Sequence, residues 1–447
     1  MSAYDPTIPD AYTTHLSEVN VTNAVIATED IFNNNGMLLV KKGFPIKPDI
    51  ARKLLNHKLV KPLETSVNVD DSITGAQLYE HIQAMLRRFE DCRLIHQSLR
   101  LDSLLLALCQ RYARHALLVQ KVTVLSLRLK TEYDKALFCA WLVLPLAQRL
   151  GLSPSDTEAA FIAGLAHDTG MLHLNPELTT KTGEYSAEEW RAMQSHTLIA
   201  DMFLSHIPEL PELSRRAVRE HHERCDGSGY PQGLFEDQLS LVGQMVAMAD
   251  SLYAIRRKGI DGRTPGLGEM LPILRLNSQI HTYGVFAATV QLIQIAQLPG
   301  PQPVDEATLA PAADQLIRQR QRLEQQFSAL CALAPLLSAD ISEKSMRIAG
   351  HMLVHTRNIA LTSGFLSESL GRWFEFVRQE RLTVAAREVA EIGLMYQEFD
   401  WQLKQLIRTL ELLLTESANL PRATLQQVRQ ALSLCRPDSG QSLAVGQ

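Results

Sequence analysis

Six histidine and aspartate side chains in the middle of the chain have the types expected of a metal site. They are His167, Asp168, His196, His221, His222 and Asp250. Neutral imidazoles and carboxylates together suit Fe, Mn or Zn. A carboxylate can bridge two cations, and two cations a few ångströms apart can activate water and neutralise phosphoryl oxygens. These residue types therefore predict a metal centre for phosphoryl chemistry.

Apolar stretches with helical character precede or surround these groups and would position them. His167 and Asp168 are expected to end an apolar helix over 161–166, and Asp250 is expected to close another over 241–249. His196 is expected in a second helix, and the pair at 221–222 is expected to end a third. Side chains from several helices can converge on one site inside a helical bundle.

Two motifs give these residues a family resemblance. Residues 167–170 (HDTG) resemble the HDxG signature of HD hydrolases. Residues 221–234 (HHERCDGSGYPQGL) resemble the HHExxDGxGYPxGL motif of the HD-GYP family, over ten fixed positions. Lys181, His196 and Asp250 also fall in the family's order, so that the resemblance covers about 155 residues.

The resemblance implies a phosphodiesterase that opens cyclic di-GMP to pGpG or GMP on an all-helical metal-binding fold. It implies that Asp168 is the bridging, catalytic carboxylate. It implies one or two divalent transition metals, with Fe or Mn favoured and Zn as the alternative. The implied metal ligands are His167, Asp168, His196, His221, His222 and Asp250. The candidate substrate contacts are Lys181, Arg224, Gly229, Tyr230 and Pro231.

Two positions depart from the family pattern. Lys135 stands where the family's first ligand histidine is expected, and Thr131, next to Glu132, stands at the additional glutamate ligand. A lysine cannot share a site with a divalent cation unless it is deprotonated. One hypothesis is that its ammonium occupies the vacant metal position as a fixed cation, which would leave a monometallic or ligand-binding variant.

The second departure is Met171, at the position of the phosphate-binding lysine of the family's HDxGK signature. Losing that charge-assisted contact would cost about 1.5–3 kcal/mol. Arg256, Arg257 and Arg263 are candidates to replace it, although their spacing differs from the family's.

Three functions remain open at this point. The first is a cyclic di-GMP phosphodiesterase weakened by these two changes. The second is a catalytically silent module that senses cyclic di-GMP or docks onto a diguanylate cyclase (GGDEF) domain through the Gly227–Tyr230 loop and the C-terminal helices, which could also form a homodimer. The third, another HD-type nucleotide phosphohydrolase, leaves the long second motif unexplained.

Composition sets limits on partners and compartment. The net charge of −5 provides no global attraction to a nucleic-acid polymer or an anionic membrane. The six cysteines include no CxxC pair, which is typical of reduced thiols. No uncharged apolar stretch reaches the ~18 residues of a membrane span, and we therefore expect a cytoplasmic protein.

The predicted fold is mostly α, with a small N-terminal α/β module. Asn33–Gly36 is a strong turn signal between two expected strands, and residues 1–15 are expected to form a loose arm. His173 is expected in a loop or at the surface. The predicted segments are an α/β module (1–70), connecting helices (71–134), the HD-GYP core (135–298), a linker (299–306), a C-terminal helical bundle (307–436) and a disordered tail (437–447).

Overall fold

The computed structural model describes residues 4–181, 185–260, 262–337, 344–416 and 421–435. Most of these residues are helical, and their strands form two small antiparallel sheets. The predicted fold class is therefore confirmed. The predicted tail at 437–447 lies outside the described residues, as do Thr182 and Gly183 beside the candidate Lys181.

The chain folds as two compact units. The first comprises Met1–Cys225, Gly229–Leu267 and His281–Leu298, and the second comprises Asp226–Ser228, Gly268–Ile280 and Pro299–Gln447. The N-terminal module, the connecting helices and most of the core therefore share one unit. The finer boundaries within that unit stay predictions.

The N-terminal module consists of two strand pairs and two helices. Strands β1 (Val25–Ala27) and β4 (Val67–Val69) are antiparallel, as are β2 (Ile31–Phe32) and β3 (Leu38–Val40). The side chain of Asn33 accepts hydrogen bonds from the backbone N–H groups of Asn35 and Met37, which stabilises the predicted turn. Helix α2 (Pro48–Leu54) begins at a proline, a residue that is favoured at the first helical position.

The prediction of a loose N-terminal arm is wrong. Helix α1 runs over Ala11–Val19, and the Asp10 carboxylate caps it by accepting from the Tyr12 backbone N–H. Tyr12 is buried and donates its hydroxyl hydrogen to Gln120 at 2.8 Å. His173 is also buried rather than at the surface, because its two ring nitrogens contact Asp10 and Lys121 at 2.7 Å each.

The remaining helices of the first unit carry the candidate site. They are α3 (Gly75–Arg88), α4 (Glu90–Ser98), α5 (Asp102–Tyr112), α6 (Ala116–Arg128), α7 (Lys130–Leu150), α8 (Pro154–Ala166), α9 (Pro176–Thr179), α10 (Ala187–Gln194), α11 (His196–Leu204), α12 (Glu212–Glu220), α13 (Leu241–Lys258) and α15 (Tyr283–Ile295). Helices α7, α8, α12 and α13 pack against one another. The Ser153 side chain caps α8, and Ser240 caps α13. These caps fix the start of two helices that bring ligands to the centre.

The second unit is a helical bundle with its own core. Its helices are α14 (Leu271–Leu276), α16 (Glu306–Cys331), α17 (Ala334–Leu337), α18 (Lys344–Ser363), α19 (Glu368–Glu380), α20 (Ala386–Glu416) and α21 (Arg422–Cys435). Leu316, Leu323 and Leu330 of α16 are buried in that core, and Phe327 packs against it. This apolar face is the one that their spacing predicts. No helix within the described ranges is long and apolar enough to cross a membrane.

Candidate metal centre

Four helices bring the six candidate ligands together. His167 and Asp168 follow the last residue of α8, His196 is the first residue of α11, and the pair His221 and His222 follows α12. Asp250 lies inside α13, which continues to Lys258 instead of ending at the aspartate. The convergence that the motifs predict is therefore present in the fold, although the sequence placed the end of α13 too early.

The backbone fixes the tautomer of three imidazoles. Nδ1 of His167 donates to the carbonyl oxygen of Gly164 at 2.9 Å. His196 and His221 donate in the same way, each at 2.6 Å, to the carbonyl three residues earlier. Because a carbonyl can only accept, the hydrogen is on Nδ1 and the lone pair of each neutral ring is on Nε2. Such outer hydrogen bonds commonly orient histidine ligands in metal sites.

One group of ligands fits a divalent cation. Asp168, His196, His221 and His222 each offer an atom within 4.8 Å of the others. The Nε2 atoms of His196 and His221 are 3.4 Å apart, and Asp168 Oδ1 is 3.4 Å and 3.9 Å from them. Two facing lone pairs repel unless a cation lies between them. Tetrahedral ligands at about 2.1 Å from an ion would be about 3.4 Å apart, so the donor set suits one transition metal.

The second group of ligands surrounds a lysine. His167, Asp168 and Asp250 also offer atoms within 4.8 Å of one another. The Nζ atom of Lys135 is paired with Asp168 Oδ2, lies 3.0 Å from Asp250 Oδ1, and lies 3.3 Å from Glu132 Oε2. The two oxygens of Asp168 therefore face different neighbours, with Oδ1 toward the histidine cluster and Oδ2 toward Lys135.

Burial and charge set the protonation of these groups. Burial, with neighbouring imidazoles, lowers the pKa of His221 to about 3 and lowers the pKa of His196 and of His222. Burial opposes the charge of Asp168, but His167 and Lys135 outweigh it and hold the pKa of that carboxyl well below its usual range. Neutral imidazoles and an ionised carboxylate are the forms that bind metals.

The pKa values of Lys135 and His167 shift upward instead. Burial alone would lower both pKa values. The carboxylates of Asp168, Asp250 and Glu132 nevertheless raise the pKa of Lys135 well above its usual value, and Asp168 raises that of His167. The two basic groups therefore share the negative charge on the Oδ2 side of Asp168.

The glycine of the HDxG motif allows the turn after Asp168 to lie directly against His196. A Cβ atom on Gly170 would be 2.0 Å from the carbonyl oxygen of His196, far inside any real contact. Only glycine permits this approach. The motif glycine thus sets the distance between two of the ligands.

The second motif folds its loop back over the histidine pair. The Glu223 carboxylate accepts from the backbone N–H groups of Gln232, Gly233 and Leu234, at 2.6, 3.0 and 2.9 Å. A Cβ on Gly229 would be 2.4 Å from Glu223 Cα, which explains the glycine at that position. Sequence reasoning assigned Glu223 no role, although its place as the third letter of the HHE motif was the available signal.

Aromatic rings extend from the histidines toward solvent. Tyr230, joined to Pro231 by a cis peptide bond, stacks on His222 with ring centroids 4.6 Å apart and planes at 26°. The ring centroid of Trp190 lies 6.1 Å from that of Tyr230, and 43% of the surface of Trp190 is exposed. Sequence reasoning missed Trp190, because no motif contains it.

The candidate phosphate contacts differ in their exposure and in their ion pairing. Lys181 pairs with Glu189 at 2.7 Å, and Arg224 is half-buried next to the tyrosine of the loop. Arg256 is buried and paired with Asp91, which removes it as a replacement contact. Arg257 is 63% exposed at the edge of the centre, 3.9 Å from Glu132.

The side chain of Met171 has an apolar environment. It packs against an apolar cluster formed by Leu174, Leu178 and Ile199. The position that holds a phosphate-binding lysine in the family pattern therefore contributes to packing in this chain.

Comparisons with known proteins agree with the motifs. Residues 114–284 match the family model described as HD domain. In Vibrio cholerae, 3'3'-cGAMP-specific phosphodiesterase 3 is 34% identical over 110 residues, which are 25% of this chain and 24% of that protein. From the same organism, 3'3'-cGAMP-specific phosphodiesterase 1 is 26% identical over 226 residues, which are 51% of this chain and 50% of that protein. A Thermotoga maritima cyclic di-GMP phosphodiesterase is 38% identical over 117 residues (26% and 32%).

The matched segments thus span half or less of these relatives' own lengths. A solved structure of a HDG"Y"P protein from Bdellovibrio bacteriovorus matches with a TM-score of 0.32 at 14% identity, over 60% of this chain and 95% of that one, and a score this low carries no argument about fold. The family model identifies residues 114–284 of this chain as an HD domain, and the second motif within that segment is similar to the motif of the HD-GYP family.

Proposed function

We propose that this chain is a metal-dependent phosphodiesterase that opens a cyclic dinucleotide, with cyclic di-GMP and 3'3'-cGAMP as the substrates to test. The observation that carries the proposal is the pair of Nε2 lone pairs, on His196 and His221, which face each other 3.4 Å apart beside an ionised Asp168. The names of the matched relatives, which are phosphodiesterases of these two nucleotides, support the substrate class. For cyclic di-GMP the expected products are pGpG or GMP.

The residues of the chain would divide the work. Asp168, His196, His221 and His222 would hold a divalent cation, with Fe or Mn favoured and Zn as the alternative. Such an ion, when bound, makes water more acidic and offsets charge on phosphoryl oxygens. Lys135 would present a fixed positive charge beside it. These groups are buried or nearly so, which strengthens their electrostatic effect on a phosphodiester.

The outer residues would hold the nucleotide. Tyr230 presents its ring next to the metal ligand His222, where it can contact a ribose or a base. Arg257 is an exposed cation beside the centre and is our candidate for the phosphate contact that Met171 cannot supply. Arg224 and Lys181 are further candidates, although Lys181 must then share its charge with Glu189.

A silent nucleotide-binding module is the second candidate. Two observations favour it: the ammonium of Lys135 lies within the second ligand group, and Met171 packs into an apolar cluster. Both changes remove features that the family pattern uses for turnover and leave the ligand-holding pocket in place. Docking onto a diguanylate cyclase and pairing through the C-terminal helices stay predictions.

The test is incubation of the purified chain with Mn²⁺ or Fe²⁺ and each cyclic dinucleotide, followed by chromatography of the products. We expect metal-dependent linear product that Asp168→Ala abolishes. Asp237→Ala, at an exposed position outside the centre, is the matched control and should keep full activity. Tight binding of nucleotide without any product would replace the enzyme with the silent module, and neither binding nor product would refute both.

A further inference from the structure

The ligands on the two sides of Asp168 are not equivalent. On the Oδ1 side the neighbours are the imidazoles of His196 and His221. On the Oδ2 side the neighbours are His167 and the Lys135 ammonium. Both sides offer metal-binding groups, but on the Oδ2 side a cation supplied by the chain is already present.

Lys135 contacts the same atoms that a second ion would need. An ion held by His167, Asp168 and Asp250 would lie about 2.0–2.2 Å from the nearest atom of each. The lysine nitrogen is already paired with Asp168 Oδ2 and lies 3.0 Å from Asp250 Oδ1. The two positive charges would therefore lie within contact distance of each other, with the same carboxylate oxygens as partners. A divalent ion could enter only if the lysine left.

The charge of the centre points the same way. Asp168, Asp250 and Glu132 bring three negative charges, and Lys135, which contacts all three, brings one positive charge. His167 is a further basic group beside Asp168 Oδ2. A second divalent ion would give this buried group an excess of positive charge.

We propose that this centre holds one divalent ion, on the Oδ1 side of Asp168, and that Lys135 permanently occupies the place of the second. The inference refines the metal content of the proposed function and rests on it only for the presence of one ion. It assigns Asp250 to pairing with a lysine and leaves His167 beside that pair, instead of assigning either residue to a metal. Lys135 is then a built-in cation of the site.

Metal stoichiometry tests the inference directly. The wild-type chain, loaded with excess Mn²⁺ and desalted, should retain about one ion per chain by elemental analysis. Lys135→His restores an imidazole at the position where the family pattern has a ligand and should raise the content to about two. Electron paramagnetic resonance should then show coupling between two Mn²⁺ ions in the variant and isolated Mn²⁺ in the wild type. Lys130→His, five residues earlier on α7 at an exposed position, is the matched control and should stay at one.

Single-ligand variants locate the ion without depending on how Lys135→His folds. His196→Ala should lose the ion, whereas His167→Ala should keep it, because His167 belongs to the lysine side. Two ions in the wild type, loss of the ion in His167→Ala, or a folded Lys135→His that still holds one ion would each overturn the inference.

Parallel activity measurements separate the inference from the proposed function. One ion in the wild type without hydrolysis of either nucleotide would support the inference and contradict the enzyme. Two ions with hydrolysis would support the enzyme and contradict the inference. No ion in the wild type would contradict the inference and remove the basis of the enzyme as well.

Discussion

Replacing Gly170 by alanine should damage the metal centre without touching any ligand side chain. The added Cβ would be 2.0 Å from the carbonyl oxygen of His196 and 2.8 Å from its carbonyl carbon. Ordinary contacts begin near 3.4 Å, so the two backbone segments must separate by about 1 Å or more. Overpacking of this kind costs about 1–3 kcal/mol of folding free energy.

The same displacement acts on the ligands. Gly170 is two residues from Asp168, and its close partner is the backbone of His196, whose Nε2 is 3.4 Å from Asp168 Oδ1. Moving these segments apart lengthens that distance and weakens the grip on an ion. Disturbing the support of a ligand typically lowers metal affinity by about 10–100-fold, and we expect Gly170→Ala to fall in that range.

The assay has two readouts and a matched control. Urea unfolding of the metal-free protein gives the loss of folding free energy, and calorimetric titration with Mn²⁺ gives the affinity. Gly284→Ala on α15 is the control, because its Cβ would meet nothing closer than 3.8 Å, and it should be neutral or stabilising by up to about 1 kcal/mol. Wild-type affinity and stability in Gly170→Ala would show that this close approach does not position the ligands.

Three further predictions concern the rest of the site. Glu223→Ala should leave three backbone N–H groups without their acceptor and cost about 1–3 kcal/mol of folding free energy. It should also increase protease cleavage in the loop after Tyr230, and an unchanged cleavage rate would contradict the proposal that Glu223 holds this loop. Trp190→Ala should weaken binding of a cyclic dinucleotide by about 1–3 kcal/mol if a base stacks there, and its metal content should not change. Trp190→Phe should bind nearly as well as the wild type. Equal binding by the wild type and both variants would exclude stacking. In EDTA the free energy of unfolding should fall as the pH drops below about 6.5. In the folded chain the pKa of His221 is about 3, so this residue gains a proton in the unfolded chain at a higher pH than in the folded chain. His221→Asn should reduce that slope by up to about 1.4 kcal/mol per pH unit, and an identical slope in urea titrations of both proteins would refute the assignment.

Four of the candidate ligands could be named because they belong to motifs with fixed spacing, and His196 and Asp250 could be named because they fall in the family's order. The partners of Lys135 were not, because Asp168 and Asp250 are 33 and 115 positions away along the chain and come close to it only through helix packing. Sequence alone established that a lysine stands at an unusual position. The structure adds that its charge is directed at the metal carboxylates.

The errors have identifiable physical causes. The arm before Ala11 contains few apolar residues, so nothing in its pattern indicated that Asp10 caps a helix or that Tyr12 hydrogen-bonds inside the core. The apolar run 241–249 predicts a helix that closes at Asp250. Helix α13 instead continues to Lys258, and the guanidinium of Arg256 within it is buried and paired with Asp91.

A lysine and a metal ion are both cations, but they support different chemistry on the two sides of Asp168. A metal can exchange one of its ligands for a water or a phosphoryl oxygen, whereas an ammonium can only donate hydrogen bonds and charge. If Lys135 holds the Oδ2 side, activation of water is restricted to the Oδ1 side, near His196 and His221. Lys135 can then stabilise charge on the phosphate but cannot generate the nucleophile. Removal of the single metal should therefore abolish turnover completely, even though a positive charge remains in the centre.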